Sequence, residues 1–354
     1  MRLQAALHAQ LDVNPSPEGQ QPVFFLLDVD RRFDRNLLTH WINAHPDPDR
    51  EHVIVCLDLR DDRNPLAVEE LVGALQRQPQ ACVAPLRLSW LQTDHAKKSG
   101  PRLRDVLRGG ERRPPSWLCD QVARLNPERV HLTVGEPGAT LDLADRFLAK
   151  TGLSAEAQRE EFAVFIARQA AVVLDIAERQ LIGGRYKVPR YVHQSIRSNR
   201  AFKSDLLTIA NEAQRSSKGV RSEANEYLRE MISIPTRFWL DVWAKLCEVC
   251  LGLGYDKTLQ YDSADLERIR KIVRQYPSAL LWTHKTYIDG FVVPKILFDN
   301  NFPMPHFFGG ANLNIPILGF FLRRAGGIFI RRSFQDNEVY KLSLKQYIGY
   351  LMEK

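Results

Sequence analysis

The run Ser278-Ala-Leu-Leu-Trp282-Thr283-His284-Lys-Thr-Tyr-Ile-Asp289-Gly290 decides the fold of this chain. Ser278 to Trp282 reads as a buried strand, and a helical pattern follows to about Phe298. A strand that turns directly into a helix is the repeating joint of α/β folds, which build sites at the carboxyl ends of their strands. His284 and Asp289 flank that joint. On one regular helix, residues five apart point about 140° away from each other. A hydrogen bond between them therefore requires His284 in the turn. The aspartate would then fix the imidazole tautomer and leave the other ring nitrogen as a general base. Alone this signal is weak: with nine histidines in the chain, a chance His-x4-Asp is about as common as not, and lone histidines are more often structural.

Some forty residues on, Arg323-Arg324-Ala-Gly-Gly-Ile-Phe-Ile-Arg331-Arg332 sets a β-type core run between paired arginines. A guanidinium offers a planar fork of donors suited to a phosphate monoester. Gly326 and Gly327 allow close backbone approach or simply permit a turn. Arginines that only flank a strand on a basic surface are the bland alternative.

The chain of 354 residues has room for two or three domains, and its 44% hydrophobic, 26% charged make-up is that of a globular protein. A net charge of +7 favours an acidic partner: nucleic acid, an anionic membrane surface or a phosphorylated small molecule. The positive charge is spread along the chain and no base-reading motif accompanies it, so no nucleic-acid partner is expected. Five cysteines, an odd count, and no apolar run in Met1 to Asp12 point to a reducing cytoplasm. Cys247-Glu-Val-Cys250 lies in a helical pattern and reads as core packing rather than a metal site. The charge-free run Asn300 to Leu322 is long enough for a bilayer, but Pro303, Pro305 and Pro316 break it, along with Gly309, Gly310 and Gly319.

The expected fold class is α/β in three parts. Residues 1–150 form an amino-terminal α/β region, with strands at Val23 to Asp28, His52 to Leu57, Ala81 to Leu86 and Val130 to Val134. A helix is expected over Pro65 to Gln76, and a basic loop over Pro101 to Pro115. Residues 151–275 form a helical domain. Within it, Phe162 to Arg179 is apolar around much of its girth and is expected to be buried between neighbours. Ser222 to Met231 is a charged amphipathic helix ended near Pro235. Phe238 to Leu246 suits either the bundle or a membrane surface. Residues 276–354 carry the chemistry.

Here the motifs reach a known family. Leu281-Trp-Thr-His-Lys-Thr-Tyr-Ile-Asp289 resembles the first acyltransferase motif, and Gly327-Ile-Phe-Ile-Arg-Arg332 resembles the second. Gly309 to Asn314 and Phe334 to Tyr350 are similar to the bacterial glycerol-3-phosphate 1-O-acyltransferases, as are Gly183-Gly-Arg-Tyr-Lys-Val-Pro189 and Val134 to Pro137 upstream.

The resemblance implies an acyltransferase-type α/β domain and a reaction. His284 would take the proton from the 1-hydroxyl of sn-glycerol 3-phosphate, and Asp289 would orient it. The alkoxide would attack the thioester of acyl-CoA or acyl-ACP, giving lysophosphatidate. Arg331 and Arg332 would hold the phosphate, with Gly327 and Phe329 shaping the pocket. No metal and no organic cofactor is implied. The protein is expected to sit peripherally on the cytoplasmic face of the cell membrane. The family's third motif, a Glu-Gly segment, and its fourth, centred on proline, are expected after Tyr350 and are not found by Lys354, which points to a fragment or an inactive relative. Val83 to Leu88 with Val130 to Pro137 resembles the end of such a domain, suggesting a degenerate acyltransferase-like fold at the amino terminus. Lysophosphatidate or dihydroxyacetone phosphate as acceptor, and a non-catalytic lipid- or partner-binding module, are the competing functions.

Overall fold

Val23-Phe-Phe-Leu-Leu-Asp28 is apolar at every position but its last, and a strand apolar on both faces needs cover on both. The computed structural model describes residues 21–44, 50–59, 66–91, 114, 116–255, 259–283, 285–286 and 288–353, and places this strand inside a sheet. The chain divides into two compact units after Ile182.

The amino-terminal unit contains β1 (Val23–Asp28), α1 (Arg32–Ala44), β2 (His52–Leu57), α2 (Glu69–Arg77) and β3 (Cys82–Trp90). It continues with α3 (Cys119–Leu125), β4 (Val130–Val134), β5 (Gly138–Ala139), α4 (Thr140–Thr151) and α5 (Arg159–Ile182). The sheet order is β2-β1-β3-β4, with β5 also pairing β3. β1 runs parallel to β2 and β3, whereas β4 and β5 are antiparallel to β3. All four expected strands are present, and β3 runs on to Trp90.

Side chains alternate across the sheet with period two. One face of β1 and β3, with Phe25, Leu27, Leu86 and Leu88, packs on Leu38, Trp41 and Ile42 of α1 and on Cys119 and Ala123 of α3. The other face presents Asp28, Arg87 and Ser89 to α5. Arg87 is 1% exposed. It donates to Asp28, to Asp175 at 2.6 Å and to Glu178 at 3.0 Å. Ser89 donates to the second oxygen of Glu178 at 3.0 Å, and its hydroxyl also meets Thr133 at 2.6 Å. Asp175 and Glu178, three apart on α5, share one helix face and so reach one guanidinium together. Neighbouring carboxylates hold Arg87 well above the ordinary arginine range, against the effect of burial.

One expectation for this unit needs correction. The helix read from Pro65 begins at Glu69, residues 66–68 are not helical, and Pro65 lies outside the described residues. Helix α5 is buried between its neighbours over Phe162 to Arg179, as expected, with Ile176 the one exposed residue in that stretch. The basic stretch from Pro101 lies outside the described residues apart from Pro114.

The carboxy-terminal unit holds α6 (Val192–Ser198), α7 (Arg200–Glu212), α8 (Ser217–Met231), α9 (Arg237–Gly254) and α10 (Ser263–Gln275). These are followed by α11 (Asp289–Asp299), β6 (Phe307–Gly310), α12 (Pro316–Arg324), β7 (Gly327–Ile330) and α13 (Glu338–Glu353). Its main core joins α6, α7, α8 and α13 to Ile328 of β7. β6 and β7 pair in parallel. Cys247 is buried on α9, where burial pushes its thiol up to about 12, so it acts as packing. Among the described residues no helix is long and apolar enough to cross a membrane.

One expectation fails outright. Ser278 to Trp282 is not a strand: residues 277–283 are irregular and exposed, Leu281 to 95%. A strand persists only when its backbone groups join a ladder. Among the described residues this unit's sheet consists of β6 and β7 alone.

Candidate functional site

Asp289 opens α11. Its carboxylate accepts the backbone N–H of Lys285 at 2.9 Å and of Thr286 at 3.1 Å, with the Thr286 hydroxyl at 3.4 Å. A carboxylate in the first turn of a helix also meets the positive end of the helix dipole. Asp289 therefore closes the loop that precedes it and is held rigidly in doing so. His284 lies outside the described residues.

Helix α11 is gripped near both of its ends. Phe291 stacks on Trp243 of α9 at 5.7 Å. Phe298 lies under the Arg185 guanidinium at 4.7 Å and meets the Tyr186 ring edge-on at 6.1 Å. Tyr186 donates to Asp241 of α9 at 2.7 Å, and Arg185 Nε donates to Asn301 Oδ1 at 3.2 Å. The fit needs Gly183: it has φ +90°, and a Cβ there would lie 2.5 Å from Asn301 Oδ1. The Gly183 to Pro189 stretch thus braces the helix that carries Asp289.

The arginine-flanked run forms the second part of the site. Gly327 lets β7 start hard against α12, since a Cβ would lie 2.8 Å from the Leu322 carbonyl oxygen. Phe329 is 1% exposed and its ring faces Gly309 of the partner strand, so it packs the sheet. Arg323 turns back to cap α8, donating to the carbonyls of Arg229, Glu230 and Ile232. Arg324 lies over the Phe320 ring at 3.6 Å. Arg331 grips Glu230 with two bonds, Nε to Oε1 at 2.9 Å and Nη2 to Oε2 at 2.6 Å. Arg332 reaches the opposite way and donates to Asn312 Oδ1 at 3.3 Å.

Gly327, Phe329, Arg331 and Arg332 are thus brought onto one strand and its exit, with the last two arginines on different sides. A groove of about 340 Å³ between α7 and α13, lined by Asp205, Thr208, Glu338, Lys341 and Lys345 among others, contains none of them. Sequence reasoning missed Glu230, and it singled out the stretches that hold Asn312 and Arg185 without foreseeing their contacts. Glu230 is one of several charges on an amphipathic helix, and nothing in its local pattern marks the pairing.

Residues 264–354 match the acyltransferase family model. Within that class the similarity is to PlsB-like proteins. PlsB1 of Mycobacterium tuberculosis and of Mycobacterium bovis, acyltransferases by name, are each 32% identical over 154 residues, covering 44% of this chain and 24% of theirs. The glycerol-3-phosphate acyltransferase of Pseudomonas fluorescens is 30% identical over 152 residues, covering 41% of this chain and 17% of its own length. The matched stretch therefore spans a quarter or less of these relatives.

Proposed function

We propose that this chain takes part in transfer of an acyl group from acyl-CoA or acyl-ACP to the 1-hydroxyl of sn-glycerol 3-phosphate, the first step of phospholipid synthesis. The observation that carries the reading is the acyltransferase match over residues that include both His284-x4-Asp289 and Gly327 to Arg332. In the reaction His284 takes the hydroxyl proton as the alkoxide attacks the thioester carbonyl. The tetrahedral intermediate collapses, the C–S bond breaks, and the proton passes to the departing thiolate. Asp289, fixed by the loop N–H groups, is a rigid partner for the imidazole. An exposed arginine beyond β7 supplies the anion contact for the phosphate.

The substrates and product suit a membrane surface, and we place the protein peripherally on the cytoplasmic face of the cell membrane. In support, Asn300 to Arg332 contains four arginines and no carboxylate. Within it α12 turns Ile317, Leu318 and Phe320 outward, with Arg324 seated on Phe320.

The test is an acyl-transfer assay on the protein as its cell makes it, with glycerol 3-phosphate, lysophosphatidate and dihydroxyacetone phosphate compared side by side. Glycerol 3-phosphate is expected to be the preferred acceptor, and His284→Ala to lower kcat by about 10²–10⁴. Equal activity in the variant would reject the catalytic reading, and failure on glycerol 3-phosphate alone would reject the acceptor. In the same preparations, sedimentation with anionic but not zwitterionic vesicles is expected; no sedimentation with either rejects the membrane placement.

A further inference from the structure

The acyltransferase reading assigns the phosphate to both arginines that follow β7, but they occupy different situations. The guanidinium of Arg331 already holds an anion: both oxygens of Glu230 are engaged in a fork, at 2.9 and 2.6 Å. The rings of Tyr227 and Tyr340 flank it, at 4.8 and 5.5 Å from their centroids. The backbone N–H of Arg331 donates to the Tyr340 hydroxyl at 3.0 Å. The pair with Glu230 raises Arg331 above the ordinary arginine range. The two rings are themselves fixed: Tyr227 hydrogen-bonds Glu223 at 2.8 Å and accepts from Asn337 at 2.7 Å, and Asn337 caps α13 through the N–H of Tyr340 at 2.8 Å. Three elements, α8, β7 and α13, thus converge on one guanidinium.

With Arg331 fixed toward α8, Arg332 in the bend that follows points instead to Asn312, where it donates to a neutral amide oxygen at 3.3 Å. A neutral, single and rather long bond is readily exchanged for a charge-assisted bond to phosphate, whereas displacing Glu230 would leave a carboxylate without its fork.

We propose that Glu230 is a positioning residue: its carboxylate, not the substrate phosphate, is the anion that Arg331 binds, and the fork aims Arg332 at the phosphate. The inference rests on the acyl-transfer reading and adds to it a residue outside the acyltransferase-matched stretch. Arg331 is then a strut that never touches substrate.

The experiment is steady-state kinetics on the protein as its cell makes it, with glycerol 3-phosphate varied, for Glu230→Ala, Arg331→Met, the double variant and Arg332→Met. Glu230→Ala and Arg331→Met are each expected to raise KM about tenfold and change kcat less than about twofold. The double variant should be no worse than either single one, because both remove the same fork. A lower KM in Glu230→Ala overturns the proposal, since it would mean that the freed Arg331 binds phosphate. So does an Arg331→Met loss far larger than that of Glu230→Ala. Should either variant fold poorly, Glu230→Gln replaces Glu230→Ala; it keeps the shape, and a KM unchanged or lowered counts against the proposal. Arg332→Met separates the two levels: if it leaves KM unchanged, the phosphate reading itself has failed. If it raises KM while Glu230→Ala does not, only the positioning role has failed.

Discussion

The two units handle their arginines in opposite ways. In the amino-terminal unit Arg87 is buried beneath α5 with Asp28, Asp175 and Glu178, and Ser89 and Thr133 extend the network. In the carboxy-terminal unit Arg332 is exposed and donates to the neutral amide oxygen of Asn312. A charge sealed from water is tied to its partners and serves the fold. A charge at the surface keeps its hydration, gives up little by changing partners, and can serve a ligand. Both motifs of the candidate site fall in the second unit.

The widest test of this contrast is Arg87→Met, which removes the cation and leaves its carboxylates buried. It is expected to destabilise the amino-terminal unit by about 3–5 kcal/mol, read by urea denaturation through the buried Trp41 and Trp90. A cost no greater than that of Arg332→Met, expected within about 0.5 kcal/mol, would erase the distinction. Next in size, Gly327→Ala pushes a methyl to 2.8 Å from the Leu322 carbonyl oxygen. It is expected to cost about 1–3 kcal/mol. Gly349, in α13 with open space around its Cβ position, is expected instead to gain about 0.5–1 kcal/mol on change to alanine. Equal urea midpoints for the two variants would break the prediction.

The buried histidines of the carboxy-terminal unit add a pH dependence. His306 hydrogen-bonds Ser233, which also meets Tyr347 at 3.0 Å, and burial lowers its imidazole below the ordinary value. A base depressed in the fold binds fewer protons folded than unfolded. Its stabilisation is therefore full above about pH 6.5 and is lost as the pH falls toward the lowered value. His193 in the same unit is shifted the same way, by burial and by Arg197 and Arg229. The carboxy-terminal unit should lose stability between pH 7 and 5, with a slope of at most about 1.4 kcal/mol per pH unit from each histidine. His306→Gln should flatten the curve in part; an unchanged curve rules His306 out.

The amino-terminal strands were legible because their apolar runs are long and bounded, and a parallel strand covered on both faces must look so. The same rule misled at Ser278 to Trp282, where an apolar run of the right length has no ladder to join and stays irregular. The start of α2 was misplaced because proline marks a permitted first turn, not a required one. At the candidate site, the turn before α11 and the strand after Gly326 were readable from spacing and glycine. Glu230 was not, since its partner lies about a hundred residues away, and no local pattern encodes that distance.

By itself the sequence determined the α/β character, the run of helices, and the two motifs that align with an acyltransferase, because periodicity, breakers and residue chemistry act locally. Only the tertiary structure decided which charges are buried, that the Gly183 to Pro189 stretch braces α11, and that Arg331 faces Glu230 while Arg332 faces away. Those outcomes depend on which distant elements pack together, and packing is set by the whole fold rather than by any one stretch of it.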